Sequence, residues 1–115
     1  GYSYESGLKK AEELITKYPD VDGIIASNDM VAISVYKSLI QKGYHIPEDI
    51  QIIGFDNIRF SWLFTPEITT IAQPIKKIGK KATQLIINYR NGHEIEKINI
   101  FDIELIERQT TKQRG

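Results

Sequence analysis

The chain has 115 residues, 41% of them hydrophobic, with 15 Lys and Arg against 15 Asp and Glu, and it contains no cysteine. That length fits one domain, and the neutral balance argues against the basic excess that marks a nucleic-acid footprint. The missing cysteines exclude disulfides and thiolate metal sites, and their absence is compatible with the cytoplasm. No apolar run approaches the ~20 residues needed to span a bilayer. The opening GYSYESGLKK lacks a signal-peptide core and an initiator Met, so the chain reads as a piece of a longer protein.

In SYESGLKKAEELITKY the apolar positions Leu8, Ala11, Leu14, Ile15 and Tyr18 recur at helical spacing. Ser3 or Ser6 can cap this helix, and Pro19-Asp20 stop it. VDGIIAS predicts a short strand buried on both faces, as parallel sheets require. Asn28 and Asp29 end it, and either can cap the helix MVAISVYKSLIQK that follows. Gly43 stands where a left-handed C-cap residue is wanted. After the loop YHIPEDI, IQIIGF is a second buried strand. The segment NIRFSWLFTPE has room for a short helical turn before Pro66, and ITTIAQ is a third strand, rich in β-branched residues.

Pro74 opens the next helix. Ile75, Ile78, Ala82, Leu85, Ile86 and Tyr89 share one of its faces. Lys76, Lys77, Lys80 and Lys81 lie toward the other, as on a solvated surface. Asn91-Gly92 ends it. KINIFDIELIER alternates in part and predicts one or two closing strands, while the polar tail QTTKQRG is expected to fray. Strands alternating with helices predict an α/β fold, a three-layer αβα arrangement with a mostly parallel sheet.

Ligands of such sheets bind beyond the carboxyl ends of the strands. Two strands end there in polar side chains, Ser27-Asn28-Asp29 and Asp56-Asn57. Spacing alone leaves two readings open for them: helix caps and Asx turns, or a hydroxyl-binding set. A carboxylate accepts hydrogen bonds and an amide both donates and accepts, the combination that sugars require. Tyr2 or Trp62 could add an apolar platform. Catalysis has little support. The two histidines, His45 and His93, fall in loop-like segments without a nucleophile or acid at a supporting spacing. No Walker loop, nucleophile elbow or dinucleotide fingerprint is present. Asp29, Asp49 and Asp56 form no compact loop that could supply the six or more oxygens of a hard cation. The expectation is a non-enzyme with no metal and no cofactor.

IIASNDMVAISVYKSLIQKGYHIPEDIQIIGFDN, followed by TPEITTIAQP, resembles the lactose/galactose-repressor family of bacterial transcription regulators. The matching pieces are Ala26 to Ala32, Gly43, Ile46 to Asp49, Gly54-Phe55-Asp56-Asn57, Pro66 with Thr69-Thr70-Ile71, and the ending Glu107-Arg108-Gln109-Thr110-Thr111. Tyr2 to Gly7 fits the segment that opens the preceding helix. Each piece is weak alone; together, in order, they cover nearly the whole chain.

The resemblance implies a DNA-binding head, a hinge and a two-lobed effector-binding core with the type I periplasmic-binding-protein-like fold, of which this sequence is the C-terminal part. It places 1–70 in the C-terminal lobe. Residues 71–92 become the crossover and a helix of the N-terminal lobe, and 93–115 the closing strands and tail. The head and the arginines that relatives direct at the effector lie outside this sequence. Asp56 falls on the effector-binding acid, Asn28 on an effector contact and Tyr2 on a stacking aromatic, with Asp29 expected to cap its helix. Ile33, Phe60, Trp62, Leu63 and Phe64 fall on the homodimer contact; the lesser alternative is that Trp62 and Phe64 merely plug the local core. Ser27 replaces a common alanine and Asp56-Asn57 a common Asp-Asp, neither of which disturbs the match.

The implied function is a cytoplasmic repressor sensing a sugar-like small molecule, touching DNA only through the missing head. The alternative is a periplasmic sugar-binding protein of a transport system. Open sheet edges in such a piece predict self-association.

Overall fold

The computed structural model describes residues 4–113. Among them the elements run α1 (Tyr4–Lys17), β1 (Gly23–Ile25), α2 (Asp29–Gln41), β2 (Gln51–Phe55), α3 (Arg59–Leu63), β3 (Thr69–Ala72), α4 (Ile75–Arg90) and β4 (Glu104–Ile106). The predicted alternation is present, including the short helical turn before Pro66, and the closing region forms one strand. Ser6 lies inside α1 and therefore does not cap it, while Ser3 is outside the described residues.

The strands form one sheet in the order β1-β2-β3-β4. β1 pairs parallel with β2, Ile24 opposite Ile52, and β2 pairs parallel with β3, Ile53 opposite Thr69 and Phe55 opposite Ile71. Helices α1 and α2 pack on each other, and α2 lies against β2. The core joins Ala11 of α1, Ala32, Ile33, Val35 and Leu39 of α2, and Ile50, Ile52 and Ile68 from around the central strands. Fully burying side chains of this size contributes about 1.5–3 kcal/mol each. That sum favours the arrangement over the helical propensities of the separate pieces.

Helix α2 stops where the sequence indicated. Gly43 takes φ 91°, its N–H donates to the Ile40 carbonyl at 3.0 Å, and Tyr44 N–H donates to Leu39 at 3.1 Å. This paired closure satisfies carbonyls that the helix end would leave bare, and it needs a left-handed residue that glycine supplies without steric cost.

Two expectations fail. Among the described residues β1 is not buried on both faces: Ile25, on the opposite face from the half-buried Ile24, is 72% exposed. Nor does the start of the tail fray. Thr110 is completely buried. It sits where β2 and β3 have not yet met: Ile52 N–H donates to its carbonyl at 2.9 Å, its hydroxyl donates to Ile52 O at 2.7 Å, and Thr69 N–H donates to that hydroxyl at 3.0 Å. Gln109 N–H donates to Glu67 O at 3.0 Å, and Lys112 N–H to the Gln51 side chain at 2.7 Å. A polar composition reads as fraying only when its groups have water alone for partners; here the two strands offer unpaired backbone groups, and the tail fills them.

The chain divides into two compact units. One comprises the chain up to Ala72 together with Leu105 onward; the other is Gln73–Glu104. The second unit is built on α4, whose apolar stripe leaves Ile75, Ile86 and Tyr89 exposed. A groove of about 350 Å³ beside it is lined by Leu85, Ile86, Tyr89, Arg90 and Ile95. Lys76, Lys77 and Lys80 are exposed, as a solvated face requires.

Candidate functional site

At the carboxyl end of β2 the chain turns through two residues in the positive-φ region, Asp56 at φ 94° and Asn57 at φ 53°. Neither is glycine. For residues with a Cβ this conformation costs roughly 1–2 kcal/mol each. The surroundings hold the turn against that cost through three consecutive amides. Asp56 N–H donates to Ile71 O at 2.8 Å, Asn57 N–H to the Thr70 hydroxyl at 3.2 Å, and Ile58 N–H to the Asp29 carboxylate at 2.7 Å. Each such bond contributes about 1 kcal/mol net, so three of them are comparable with the strain. Asp56 itself is presented at the surface.

Asp29 is the hub beneath this turn. It is fully buried, and besides Ile58 it accepts the Thr70 hydroxyl at 2.6 Å. Burial pushes its carboxyl above the ordinary value. The hydrogen bonds from Thr70 and Ile58 and the positive charge of Arg108 pull it down, and the negative charge of Asp56 adds to the rise. Its place in the first turn of α2 also favours the ionised form. The carboxylate lies against β2 so closely that a Cβ on Gly54 would run into it, with Asp29 Cα only 3.2 Å from that position. Glycine in mid-strand is therefore a packing requirement here.

The expected cap is the other member of the pair. Asn28 has extended backbone, its side-chain oxygen accepts Val31 N–H at 2.9 Å and its carbonyl accepts Ala32 N–H at 3.0 Å, so Asn28 caps α2 and Asp29 does not. A helix start one residue earlier than the alternative frees Asp29 to reach two partners far away in sequence.

A third layer comes from the C-terminal segment. The Arg108 guanidinium donates to Asn57 Oδ1 at 2.7 Å, Ser61 Oγ at 2.8 Å and Ile68 O at 3.0 Å. Ser61 is fully buried and donates to Ile58 O at 2.6 Å. Thr70, Ser61 and Arg108 have no local signal in the sequence that marks them as supports of the turn. Their partners are distant along the chain, and Thr70 and Arg108 stand out only as parts of the resemblance, with no sign of what they touch.

The structure thus brings Asn28 and Asp56 to the same end of the sheet, linked through Asp29. Tyr2 lies outside the described residues. Among the residues expected at a subunit contact, Ile33 requires correction. It is 6% exposed and packed in the core, because the buried face of α2 turns inward at that position, so it offers almost no surface to a partner. Phe60, Trp62 and Leu63 are 58%, 45% and 57% exposed on α3. Phe64 is half-buried, meeting Tyr36 edge to face with ring centroids 5.7 Å apart, so it belongs partly to the local packing.

His45 and His93 are both exposed. Asp49 accepts the His45 backbone N–H at 2.8 Å, ahead of β2 and so at the other end of that strand from Asp56. A depression of about 580 Å³ at that far end is lined by Asp20, Asp22, Lys42, Tyr44, Glu48 and Asp49, among others. It precedes β2, whereas ligands of this sheet class bind after the strands. No helix among the described residues is long and apolar enough to cross a membrane.

A sheet with its first three strands parallel and helices packed against it defines an α/β fold. The chain belongs to the family described as the periplasmic binding protein-like domain, which matches residues 1–111. Within that family its relatives are repressors and regulators of the lactose-repressor type, as the sequence resemblance implied. It is 37% identical over 113 residues to the ribose operon repressor of Bacillus subtilis (strain 168), spanning 97% of this chain and 35% of that protein. The solved structure of transcription regulator CcpA of Lactococcus lactis is similar with a TM-score of 0.87 and 29% identity, over 97% of this chain and 41% of that one. A LacI family transcriptional regulator from Arthrobacter sp. FB24, in complex with lactose, gives a TM-score of 0.84 and 28% identity, over 96% of this chain and 42% of that one. The chain therefore spans about a third of the length of the curated relatives it matches, 35% in the first case.

Proposed function

We propose that this chain is the C-terminal part of the effector-binding core of a cytoplasmic transcriptional repressor that senses a sugar or a related polyhydroxylated metabolite. It is not an enzyme, carries no metal or cofactor, and meets DNA only through a head outside this sequence. The observation that carries the reading is the Asp56 turn: an exposed carboxylate at a strand end, held in a strained conformation by a buried network. Strain of this kind persists where surrounding structure over-determines it, and it clusters at functional sites. Family membership and relatives named as repressors support the class.

Asp56 accepts hydrogen bonds from effector hydroxyls. Asn28, with its oxygen committed to the helix cap, contributes its amide nitrogen, and Tyr2 supplies the stacking face. The residues up to about 70 form part of one lobe. Those from 71 to 92 form a crossover and helix of the other, a division supported by the break between compact units at Gln73. The exposed Phe60, Trp62 and Leu63 form a homodimer contact, since aromatic side chains are enriched at interfaces. Effector binding to the full-length protein shifts its conformational equilibrium, and the dimer passes the shift to the DNA heads.

The test is calorimetric titration of the full-length protein with lactose, cellobiose and D-ribose. At least one sugar is expected to bind, and Asp56→Ala to weaken it at least tenfold with the dimer intact by light scattering. An unchanged titration in the variant would remove Asp56 from the site.

A further inference from the structure

We infer that Arg108 is a positioning residue of the candidate ligand site: its guanidinium locks the turn that presents Asp56 to helix α3, so that the turn and the aromatic face behave as one body. The ligand role of the turn rests on the function proposed above; the mechanical linkage does not.

Three observations carry the inference. First, one side chain reaches three separate stretches of the chain, through two side-chain oxygens and one backbone carbonyl. Nη2 donates to Asn57 Oδ1 in the turn at 2.7 Å, while Nη1 donates to Ser61 Oγ in α3 at 2.8 Å and to Ile68 O ahead of β3 at 3.0 Å. The planar fork of arginine suits this spread of acceptors, and the ammonium point of lysine does not. Second, Arg108 is itself fixed. Its backbone N–H donates to Thr69 Oγ1 at 2.8 Å, and the following Gln109 and Thr110 are bonded to Glu67, Ile52 and Thr69. An arginine held at its base loses little further freedom in making such contacts. Third, the ties between the turn and α3 are otherwise local, running through Ile58, whose carbonyl accepts Ser61 N–H at 2.9 Å, so Arg108 adds the one tie from a distant segment among those described. Ser61 is the one buried residue of α3, and its hydroxyl contacts Ile58 O and, at 3.3 Å, Asn57 Oδ1. The side-chain oxygen of Asn57 is thus the meeting point of turn, helix and tail, and the neighbouring residue is the φ 94° Asp56.

Hydrogen exchange of the full-length protein tests this, with Arg108→Gln, Arg108→Lys, Asn57→Ala and the double variant Asn57→Ala/Arg108→Gln. In Arg108→Gln the amides of Asn57 and Ile58 in the turn, of Ser61 in α3 and of Phe64 at the C-cap of α3 should exchange at least tenfold faster together, while those inside α1 change less than twofold. Arg108→Lys should fall between. Asn57→Ala added to Arg108→Gln should accelerate exchange by less than the product of the two single effects, because both remove the Arg108–Asn57 bond. Protection unchanged in the turn, a rise confined to either the turn or α3, or an equal rise in α1 from general destabilisation would each overturn the inference. Asp56→Ala keeps the backbone groups of the linkage. Loss of sugar binding in that variant therefore bears on the ligand reading, and the exchange pattern in the Arg108 variants bears on the linkage.

Discussion

Replacing Asp29 by alanine removes the acceptor at the centre of the network and tests whether the buried carboxylate holds the strand-end turn. Two donors lose their partner: the Thr70 hydroxyl, in a fully buried residue, and the half-buried Ile58 N–H. A buried orphaned donor costs about 1–3 kcal/mol and a half-buried one falls at the low end of that range, so the loss is about 3 kcal/mol. Removing a carboxylate whose ionisation burial opposes returns part of this, leaving a net destabilisation of about 2 kcal/mol. Urea unfolding of the protein, followed by far-ultraviolet circular dichroism, reads the change directly. At a slope of about 1.5 kcal/mol per M the midpoint should fall by a little more than 1 M. Thr70→Val provides the partner measurement. Its cost in the Asp29→Ala background should be smaller than in the wild type by at least about 0.5 kcal/mol, since contacting residues couple. An Asp29→Ala cost under about 0.5 kcal/mol, or strict additivity with Thr70→Val, would refute the role given to Asp29.

Other expectations follow from the same region. Because the Asp29 carboxyl is raised in the fold, the folded state holds its proton at pH values where the unfolded chain has released it. Its contribution to stability is thus greatest below the unfolded value of about 3.9 and declines as pH rises through the folded value. The stability difference between wild type and Asp29→Asn, from urea midpoints at mildly acidic and neutral pH, should decline in the same direction; an increase would contradict the assignment. Asp56→Gly relieves the φ 94° conformation and should raise stability by about 1 kcal/mol while weakening sugar binding, read by a thermal melt beside the titration. Thr110→Val keeps the shape of the tail plug but leaves Thr69 N–H without its acceptor, so unfolding should become easier by about 1–3 kcal/mol.

The sequence made the scaffold legible because its signals are local. Helix α2 announced its end through Gly43, and the strands announced themselves through short runs such as IQIIGF. The errors lie where the deciding partner is remote. Asn28 and Asp29 are equally good caps by type; the difference is that Asp29 meets Thr70 and Ile58, which no neighbouring residue indicates. Ile25 reads as a buried strand residue, and only the packing of remote elements decides whether its face of β1 is covered. Ile33 shows the reverse: a position transferred by resemblance to a partner surface is enclosed by this chain's own core. Within the site, Asp56 was visible from its place after a strand. The network beneath it was not, because Thr70 and Arg108 look like an ordinary strand residue and an ordinary basic tail residue.

The tail plug also bears on the order in which the molecule can be completed. Thr110 occupies a gap between β2 and β3 that was framed some forty to sixty residues earlier on the chain. During synthesis both strands emerge from the ribosome well before the segment that stitches them. Until then Ile52 and Thr69 present open backbone groups to whatever is nearby. Long-range closures of this sort slow folding and lengthen the interval in which a nascent chain can pair with the wrong neighbour. A ribosome stalled before residue 110 should hold a chain markedly more open to protease than one stalled far enough beyond it to free the tail.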